Sequence, residues 1–303
     1  MFKSEKGTVI VMVALSMMTL MMATALVADV GRLYLAKIRL QAGADAAALA
    51  AATTLFSEHN LILASNTARG YVNQNVHEYY KYNYQADQNQ NSFTVNLEQD
   101  VAFFFAPIMG INTSKIKATA TAKASTIISA LGVVPFGVEQ QNFEFGEQYT
   151  LKYGAGDKPA HGGNFGGLAL GGNGANTYRD NIKYGYNGEL EIGQQVTTKP
   201  GNMAGPTDQG VSYRISQCTH GCSYNTQIEA NCPRVVITPI INAIPDGGRT
   251  TATIVGFAAF FLEATQDGAK GQKDVIGRFL KWATPGKAGD GTNYGLSTVS
   301  LTK

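Results

Sequence analysis

An uncharged stretch near the N-terminus limits the fold of this chain more than any other feature. Residues Thr8–Ala28 are apolar apart from a few serines and threonines. As a helix, at about 1.5 Å per residue, the stretch is about 31 Å long, which matches the hydrocarbon thickness of a bilayer. The sequence therefore predicts a membrane-spanning helix that anchors the rest of the chain.

A cleavable signal peptide is the main alternative for this stretch. The apolar part of a signal peptide is shorter, about 7–15 residues, and ends at a small-residue cleavage site. Met22–Ala25 is an imperfect version of such a site, so we expect an uncleaved anchor. Basic residues flank the stretch almost evenly and do not set its orientation. The cysteine usage and the short polar tail favour a single-pass protein of the cytoplasmic membrane, with its N-terminus inside and most of the chain exported.

The apolar stretch continues into a segment with strong helix propensity. No proline occurs before Pro107, and alanine, the best helix former, dominates up to Ala52. The sequence predicts one helix from about residue 8 to residue 56, about 70 Å long. Ala44 and Ala47 belong to a narrow stripe of small residues on this helix, and such a stripe lets another backbone approach closely.

Three short runs in this helix carry a family resemblance: Val27–Tyr34, Arg39–Gln41 and Ala44–Ala52. Together they resemble the N-terminal segment of the TadE/TadG-like proteins of tight-adherence (Flp) pilus assembly. The resemblance depends on seven positions, which are Asp29, Gly31, Arg32, Gln41, Ala44, Asp45 and Ala47. It implies a membrane-anchored protein outside the cytoplasm that takes part in pilus assembly or attachment. The implied partners are the lipid bilayer and other pilus-assembly membrane proteins or pilins, or a second copy through the Ala-rich helix.

The composition changes along the chain and predicts an α+β protein in three parts. Residues 1–28 would be the N-terminal tail and transmembrane helix, and residues 29–131 a stalk helix with a small pilin-like α+β module. In that module Phe93, Val95 and Leu97 alternate with polar residues, which predicts a strand with one buried face. Most of the 34 glycines and all three cysteines follow Leu131. Residues 132–303 would therefore be a β-rich, Gly-rich exported domain.

Cys218, His220, Cys222 and Cys232 form the strongest chemical constellation in the sequence. Three thiolates and one imidazole would complete a zinc shell, although the first three residues lie closer together than usual zinc ligands. An exported domain also meets oxidising conditions, in which disulfides form. We favour a disulfide with one free thiol, between Cys222 and Cys232 or with Cys218 as the alternative partner. A zinc site and the absence of any cross-link stay open, and we expect neither a metal nor a cofactor.

No set of residues indicates catalysis. The four histidines are scattered, and Glu189 with Glu191 reads as solvated charge. The glycine-rich stretch Gly162–Gly174 lacks the third glycine of a dinucleotide fingerprint. The formal net charge of +2 argues against a nucleic-acid partner. We expect a non-catalytic structural or accessory protein. The alternative is a surface-anchored hydrolase or carbohydrate-binding domain on a generic helical stalk.

Overall fold

After residue 75, the described part of the chain contains more strands than helices. The computed structural model describes residues 6–154, 164–225, 228–229, 231–247, 249–268 and 272–302. One unit consists of residues 1–123 and 300–303, and a second unit consists of residues 124–299. The predicted α+β class is confirmed, because a long apolar helix precedes a β-rich region with mixed sheets.

The first unit is built on α1, a helix of 53 residues over Lys6–Glu58 that is about 80 Å long. Helix α2 (Leu61–Asn75) packs against α1. Asn60 caps α2, because its Oδ1 accepts a hydrogen bond from the backbone N–H of Leu63 at 3.0 Å. The predicted long helix is therefore present, and the second helix covers its C-terminal half.

Three strands complete the first unit. They are β1 (Lys81–Asp87), β2 (Ser92–Ala102) and β3 (Thr113–Ala130), of which β3 continues into the second unit. β2 pairs antiparallel with both neighbours, and a 3-10 helix over Ala106–Met109 connects β2 to β3. Phe93, Val95 and Leu97 are buried on one face of β2, as predicted, and β2 packs against α1.

The two halves of α1 differ in burial. Side chains from Val9 to Ala28 are exposed except for Ala25, which is partly covered. From Leu40 onward one face of the helix is buried in the first unit. That buried face consists of Leu40, Ala44, Ala47, Ala48, Ala51, Ala52, Leu55 and Phe56. Half of this helix therefore belongs to a protein core, and half presents apolar side chains to its surroundings.

The second unit is centred on β10 (Thr251–Gly268), which pairs antiparallel with β9 (Val235–Ile241) and β11 (Gln272–Leu280). The remaining elements are β4 (Val138–Glu139), β5 (Gln148–Lys152), β6 (Asn164–Leu168), α3 (Ala175–Tyr184), β7 (Leu190–Glu191), β8 (Gln195–Pro200), α4 (Ala204–Ser216), β12 (Trp282–Ala283), β13 (Lys287–Gly289) and β14 (Leu296–Thr302).

Strand β10 is buried on both faces, which explains its continuous apolar run from Phe257 to Leu262. On one face, Phe260 packs with Tyr178 and Val211 from the two helices α3 and α4. On the opposite face, Phe261 belongs to a cluster that includes Cys222 and Cys232. The cysteines therefore lie at the edge of a hydrophobic core.

Candidate functional site

The carboxylate of Asp29 holds a distant loop against α1, directly after the apolar stretch. Its oxygens accept hydrogen bonds from three consecutive backbone N–H groups: Phe104 at 2.7 Å, Phe105 at 3.1 Å and Ala106 at 2.8 Å. These donors lie at the start of the 3-10 helix, where backbone N–H groups lack partners of their own. Asp29 is only 4% exposed, so the contact is shielded from water.

Two opposing effects act on the ionisation of Asp29. Burial raises the pKa of its carboxyl, while the three N–H donors and the nearby Arg32 lower it. The net result is a pKa below the ordinary value of 3.8, so Asp29 is ionised at neutral pH. The charged form is therefore the one that binds the loop.

The same loop exposes an apolar surface. We call Phe103–Ile111 the apolar loop. The guanidinium of Arg32 lies 4.3 Å from the centre of the Phe104 ring, a cation–π contact that supports the loop from α1. Ile108 and Met109 at its tip are 87% and 82% exposed. The loop is thus fixed by its backbone while the side chains of Ile108 and Met109 at its tip are exposed.

Gln41 and Asp45 form a second connection between α1 and the strands of the first unit. The Gln41 side-chain amide donates to Asp45 Oδ1 at 2.8 Å and to the carbonyl oxygen of Thr119 in β3 at 3.0 Å. Residues four apart lie on the same side of a helix, which is why this pair can meet. Asp45 therefore orients the amide that connects α1 to β3.

The alanine stripe is used within the chain itself. Ala44 and Ala47 have no exposed surface, and they lie on α1, which packs against α2 and β2 among other elements. The two alanines are therefore enclosed within the first unit, and the close approach of another backbone to the stripe stays a prediction. This leaves the two alanines no surface for a second copy.

Gly31 lies in an open part of the surface rather than in a close contact. It lines a groove of about 880 Å³ beside α1, together with residues 75–78 and Phe104, and a side chain at position 31 would meet no atom within 4 Å. Nothing in the packing of the described residues requires a glycine there.

The residues that mount the first unit on α1 lie in a stretch that matches a known family model. Residues 7–54 match the Tad family model, Flp pilus-assembly TadE/G-like. The N-terminal helix is a TadE/G-like segment. No curated protein and no solved structure matches the chain. The match lies within α1, so it includes the apolar half, Asp29, and the face buried by α2 and β2.

The TadE/G-like segment lies in a helix that is long and apolar enough to cross a membrane. None of the side chains in its most apolar window is buried within the chain. The family and this helix together fit a membrane-anchored protein involved in Flp pilus assembly.

The four residues of the cysteine constellation come together in the second unit. The ligand atoms of Cys218, His220 and Cys222 all lie within 4.8 Å of one another. The Sγ atoms of Cys218 and Cys232 are 3.7 Å apart, and no bond joins any of the three cysteines. The disulfide favoured from the sequence, between Cys222 and Cys232 or with Cys218 as the alternative partner, stays a prediction.

The glycine-rich stretch has a structural role in its described part. The amine of Lys199 donates to the carbonyl oxygen of Asn173 at 2.5 Å and lies 3.5 Å from that of Gly174, which caps α3. Carbonyl oxygens turned toward a lysine do not form a cradle for phosphate, which needs N–H donors. Gly162 and Gly163 lie outside the described residues.

The predicted solvated carboxylates have separate partners. Glu189 accepts a hydrogen bond from Ser129 Oγ, and Glu191 lies 3.7 Å from Lys287 Nζ.

The pKa of Lys152 is lowered more than that of any other lysine in the described ranges. Burial lowers it to about 8. Its side chain is only 1% exposed, and its amine donates a hydrogen bond to the carbonyl oxygen of Tyr153 at 3.0 Å. The amine is therefore enclosed by protein and does not line an open cleft.

Sequence reasoning missed the apolar loop as a surface. The run from Phe103 to Ile111 reads as a short apolar turn, and such a run usually predicts burial. The available signal was that this run contains no charge and is interrupted by Pro107 and Gly110, which prevents it from joining either neighbouring strand. Only the structure reveals that Asp29 holds it beside α1.

Proposed function

We propose that this protein is a non-catalytic structural or accessory component of Flp pilus assembly that crosses the cytoplasmic membrane once. Residues Thr8–Ala28 form the span, the N-terminus lies inside, and the bulk of the chain is exported. The observation that carries the proposal is the division of α1. Its first half is apolar and uncovered, whereas its second half forms the core of the first unit.

The contacts of the family residues support a mounting role for the TadE/G-like segment. Asp29 and Arg32 hold the apolar loop, and Gln41 with Asp45 holds β3. All four are distributed along about four and a half turns of helix directly after the span. A continuous helix with such contacts couples the position of the membrane to the position of the first unit, without a flexible linker between them.

The partners that this arrangement favours are lipid around Thr8–Ala28 and other pilus-assembly membrane proteins or pilins. The exposed side of α1 between the span and the buried face offers Tyr34, Leu35 and Ile38 to such neighbours. A surface-anchored hydrolase or carbohydrate-binding domain is less favoured, because Glu189 and Glu191 have separate partners and the amine of Lys152 is enclosed.

Membrane extraction and protease accessibility test the proposal together. We expect the full chain to stay in the membrane fraction after carbonate washing, because an apolar helix of bilayer length is not released by alkaline pH. Protease added to protoplasts should remove the part of the chain beyond the span, while inverted vesicles should protect it. Release into the soluble fraction would contradict the anchor, and cleavage in inverted vesicles alone would contradict the orientation.

A further inference from the structure

The connection between α4 and β9 brings three thiols and an imidazole together. Among its described residues, from Gln217 to Arg234, there is no helix or strand. Cys218, His220 and Cys222 occupy its first part, and Cys232 comes from its far end. A long connection without regular structure is usually stabilised by something other than its own backbone hydrogen bonds.

The distance between the sulfur atoms fits a shared metal ion better than a disulfide. Tetrahedral zinc with Zn–S bonds of about 2.3 Å holds two sulfurs about 3.8 Å apart. A disulfide requires about 2.05 Å. The observed separation of Cys218 Sγ and Cys232 Sγ is 3.7 Å, and the ligand atoms of Cys218, His220 and Cys222 lie within 4.8 Å of one another. Cys218 belongs to both sets, so the other three ligand atoms are grouped around its sulfur atom.

Backbone N–H groups point at two of the three sulfur atoms. The Sγ of Cys218 accepts hydrogen bonds from the backbone N–H groups of His220 and Cys222, and the Sγ of Cys232 accepts one from Arg234. Such donors are the outer partners that orient sulfur ligands around a metal ion. The Arg234 guanidinium donates to the carbonyl oxygen of Cys222 at 3.3 Å, so a positive charge lies beside a centre of three thiolates and one Zn²⁺.

The exposure of the four side chains fits a shared metal ion better than a disulfide. Cys222 and Cys232 are 5% and 4% exposed and belong to the hydrophobic core, whereas His220 is exposed. A disulfide between Cys218 and Cys232 would leave a buried thiol at Cys222 and an unused imidazole. A metal ion would use every member and would place His220 on the solvent side.

We propose that Cys218, His220, Cys222 and Cys232 form a tetrahedral Zn²⁺ site that cross-links the two ends of the α4–β9 connection. Four protein ligands leave no open coordination position, so the site is structural. The metal stabilises the second unit because it links Cys218, His220 and Cys222 at one end of the irregular connection to Cys232 at the other.

Metal content and thiol counting on the full chain test this site. The protein is extracted from membranes in detergent without reductant or chelator. We expect about one zinc per chain by mass spectrometry of the elements, and at least a tenfold loss of zinc in Cys222→Ser and Cys232→Ser. His77→Ala, which replaces an exposed histidine of the first unit, should keep the full zinc content.

Alkylation of the unaltered chain gives a result that does not depend on the folding of any variant. With zinc bound, we expect all three cysteines to be modified after denaturation with chelator and without reductant. Modification of a single cysteine would reveal a disulfide and would overturn the zinc site. Three reactive cysteines in a chain that takes up no zinc or Co²⁺ on reconstitution would overturn it as well.

The apolar loop carries a second, independent inference. It rests on the proposed function, because it takes Thr8–Ala28 as the membrane span. Asp29 follows that span immediately, and its carboxylate binds the N–H groups of Phe104, Phe105 and Ala106. One residue of helix rises only about 1.5 Å, so these three N–H groups lie close to the level at which α1 leaves the hydrocarbon.

The headgroup region of the bilayer is thick enough to contact the loop where Asp29 holds it beside α1. The headgroup region adds about 5–8 Å on each side of the hydrocarbon core. Ile108 and Met109 at the loop tip are almost fully exposed, and Phe104 is 68% exposed. Contact with acyl chains and headgroups removes this apolar surface from water, and the basic Arg32 beside Phe104 suits the anionic phosphates.

We infer that the apolar loop inserts into the interface of the same bilayer that α1 crosses. The first unit then has two attachments to the membrane, the span and the loop, with Asp29 holding them together. Two attachments restrict the rotation and tilt of the first unit about the helix, which a single span does not.

Tryptophan quenching by brominated lipids tests the insertion in full-length protein reconstituted into bilayers. Three single variants are compared: Ile108→Trp in the loop, Leu15→Trp in the span and Asn89→Trp in the β1–β2 turn. Asn89 lies at the opposite end of β2 from the loop, about 33 Å away along the strand. The native Trp282 gives a constant background that is measured on the unaltered chain.

We expect strong quenching at positions 15 and 108 and none at position 89. Quenching at position 15 without quenching at position 108 would overturn the loop insertion and leave the anchor intact. Absence of quenching at position 15 would instead contradict the proposed function. Equal quenching at positions 89 and 108 would mean that the whole first unit contacts lipid, which also overturns a specific role for the loop.

Discussion

Replacing both Ala44 and Ala47 with leucine should destabilise the first unit strongly. Neither alanine has any exposed surface, so a larger side chain has to displace the elements that pack on α1. Overpacking costs about 1–3 kcal/mol at each site. A loss of about 2–6 kcal/mol is a large part of the stability of a typical domain. Hydrogen exchange of the α2 amides across a urea series measures this loss in the full chain.

A matched control separates packing from any effect on the helix itself. Ala42 lies on the exposed side of α1 in the same turn, so Ala42→Leu should change the urea midpoint very little. If the Ala44→Leu and Ala47→Leu double variant kept the wild-type midpoint but failed to assemble pili, the alanine stripe would act between subunits. That outcome would contradict the packing seen here.

The helix of this protein could be predicted because its signals are local. The uncharged stretch, the alanine run and the lack of proline before Pro107 all act within a few turns. The same holds for β2, where Phe93, Val95 and Leu97 alternate with polar residues and are buried. Such patterns are confirmed because the chain satisfies them without help from distant residues.

Contacts between distant residues could not be predicted in the same way. Asp29 marks the end of the apolar stretch in the sequence, but its partners are about 75 positions further on. Tyr82 and Tyr84 lie in the edge strand β1, where the ring of Tyr84 stacks on that of the distant Phe93, with 5.2 Å between the ring centres. Helix α3 was missed because glycine-rich and polar residues dominate its surroundings.

The cysteine constellation shows the limit of spacing as a guide. Cys218, His220 and Cys222 alternate too closely for a usual pair of zinc ligands, which favoured a disulfide on sequence grounds. An irregular backbone can still bring such residues to one point, since it has no fixed rise per residue. The usual sequence spacing of zinc ligands therefore applies to regular turns, and it does not predict which residues meet in the α4–β9 connection.

Replacing Asp29 with alanine should release the apolar loop from α1. Three buried N–H groups would lose their acceptor at once, and no side chain at position 29 would replace it. We expect hydrogen exchange at Phe104–Ala106 to become at least about tenfold faster. Asp29→Asn should give an intermediate result, because its amide oxygen accepts hydrogen bonds without a charge. Asp100→Ala, which removes an exposed carboxylate of β2, serves as the control and should leave this exchange unchanged.

The ionisation of Asp29 gives the same contact a definite dependence on pH. Its pKa in the folded chain lies below the ordinary 3.8, so the contact stabilises the fold fully above that value. The stabilisation is lost as the pH falls through the lower pKa of the folded state, where protonation removes the charge that binds the N–H groups. Exchange at Phe104–Ala106, corrected for its intrinsic pH dependence, should therefore stay constant from neutral pH down to about pH 4 and rise below it. The Asp29→Asn variant should lack this rise, because its side chain does not titrate. A rise of equal size in both would show that another group controls the loop.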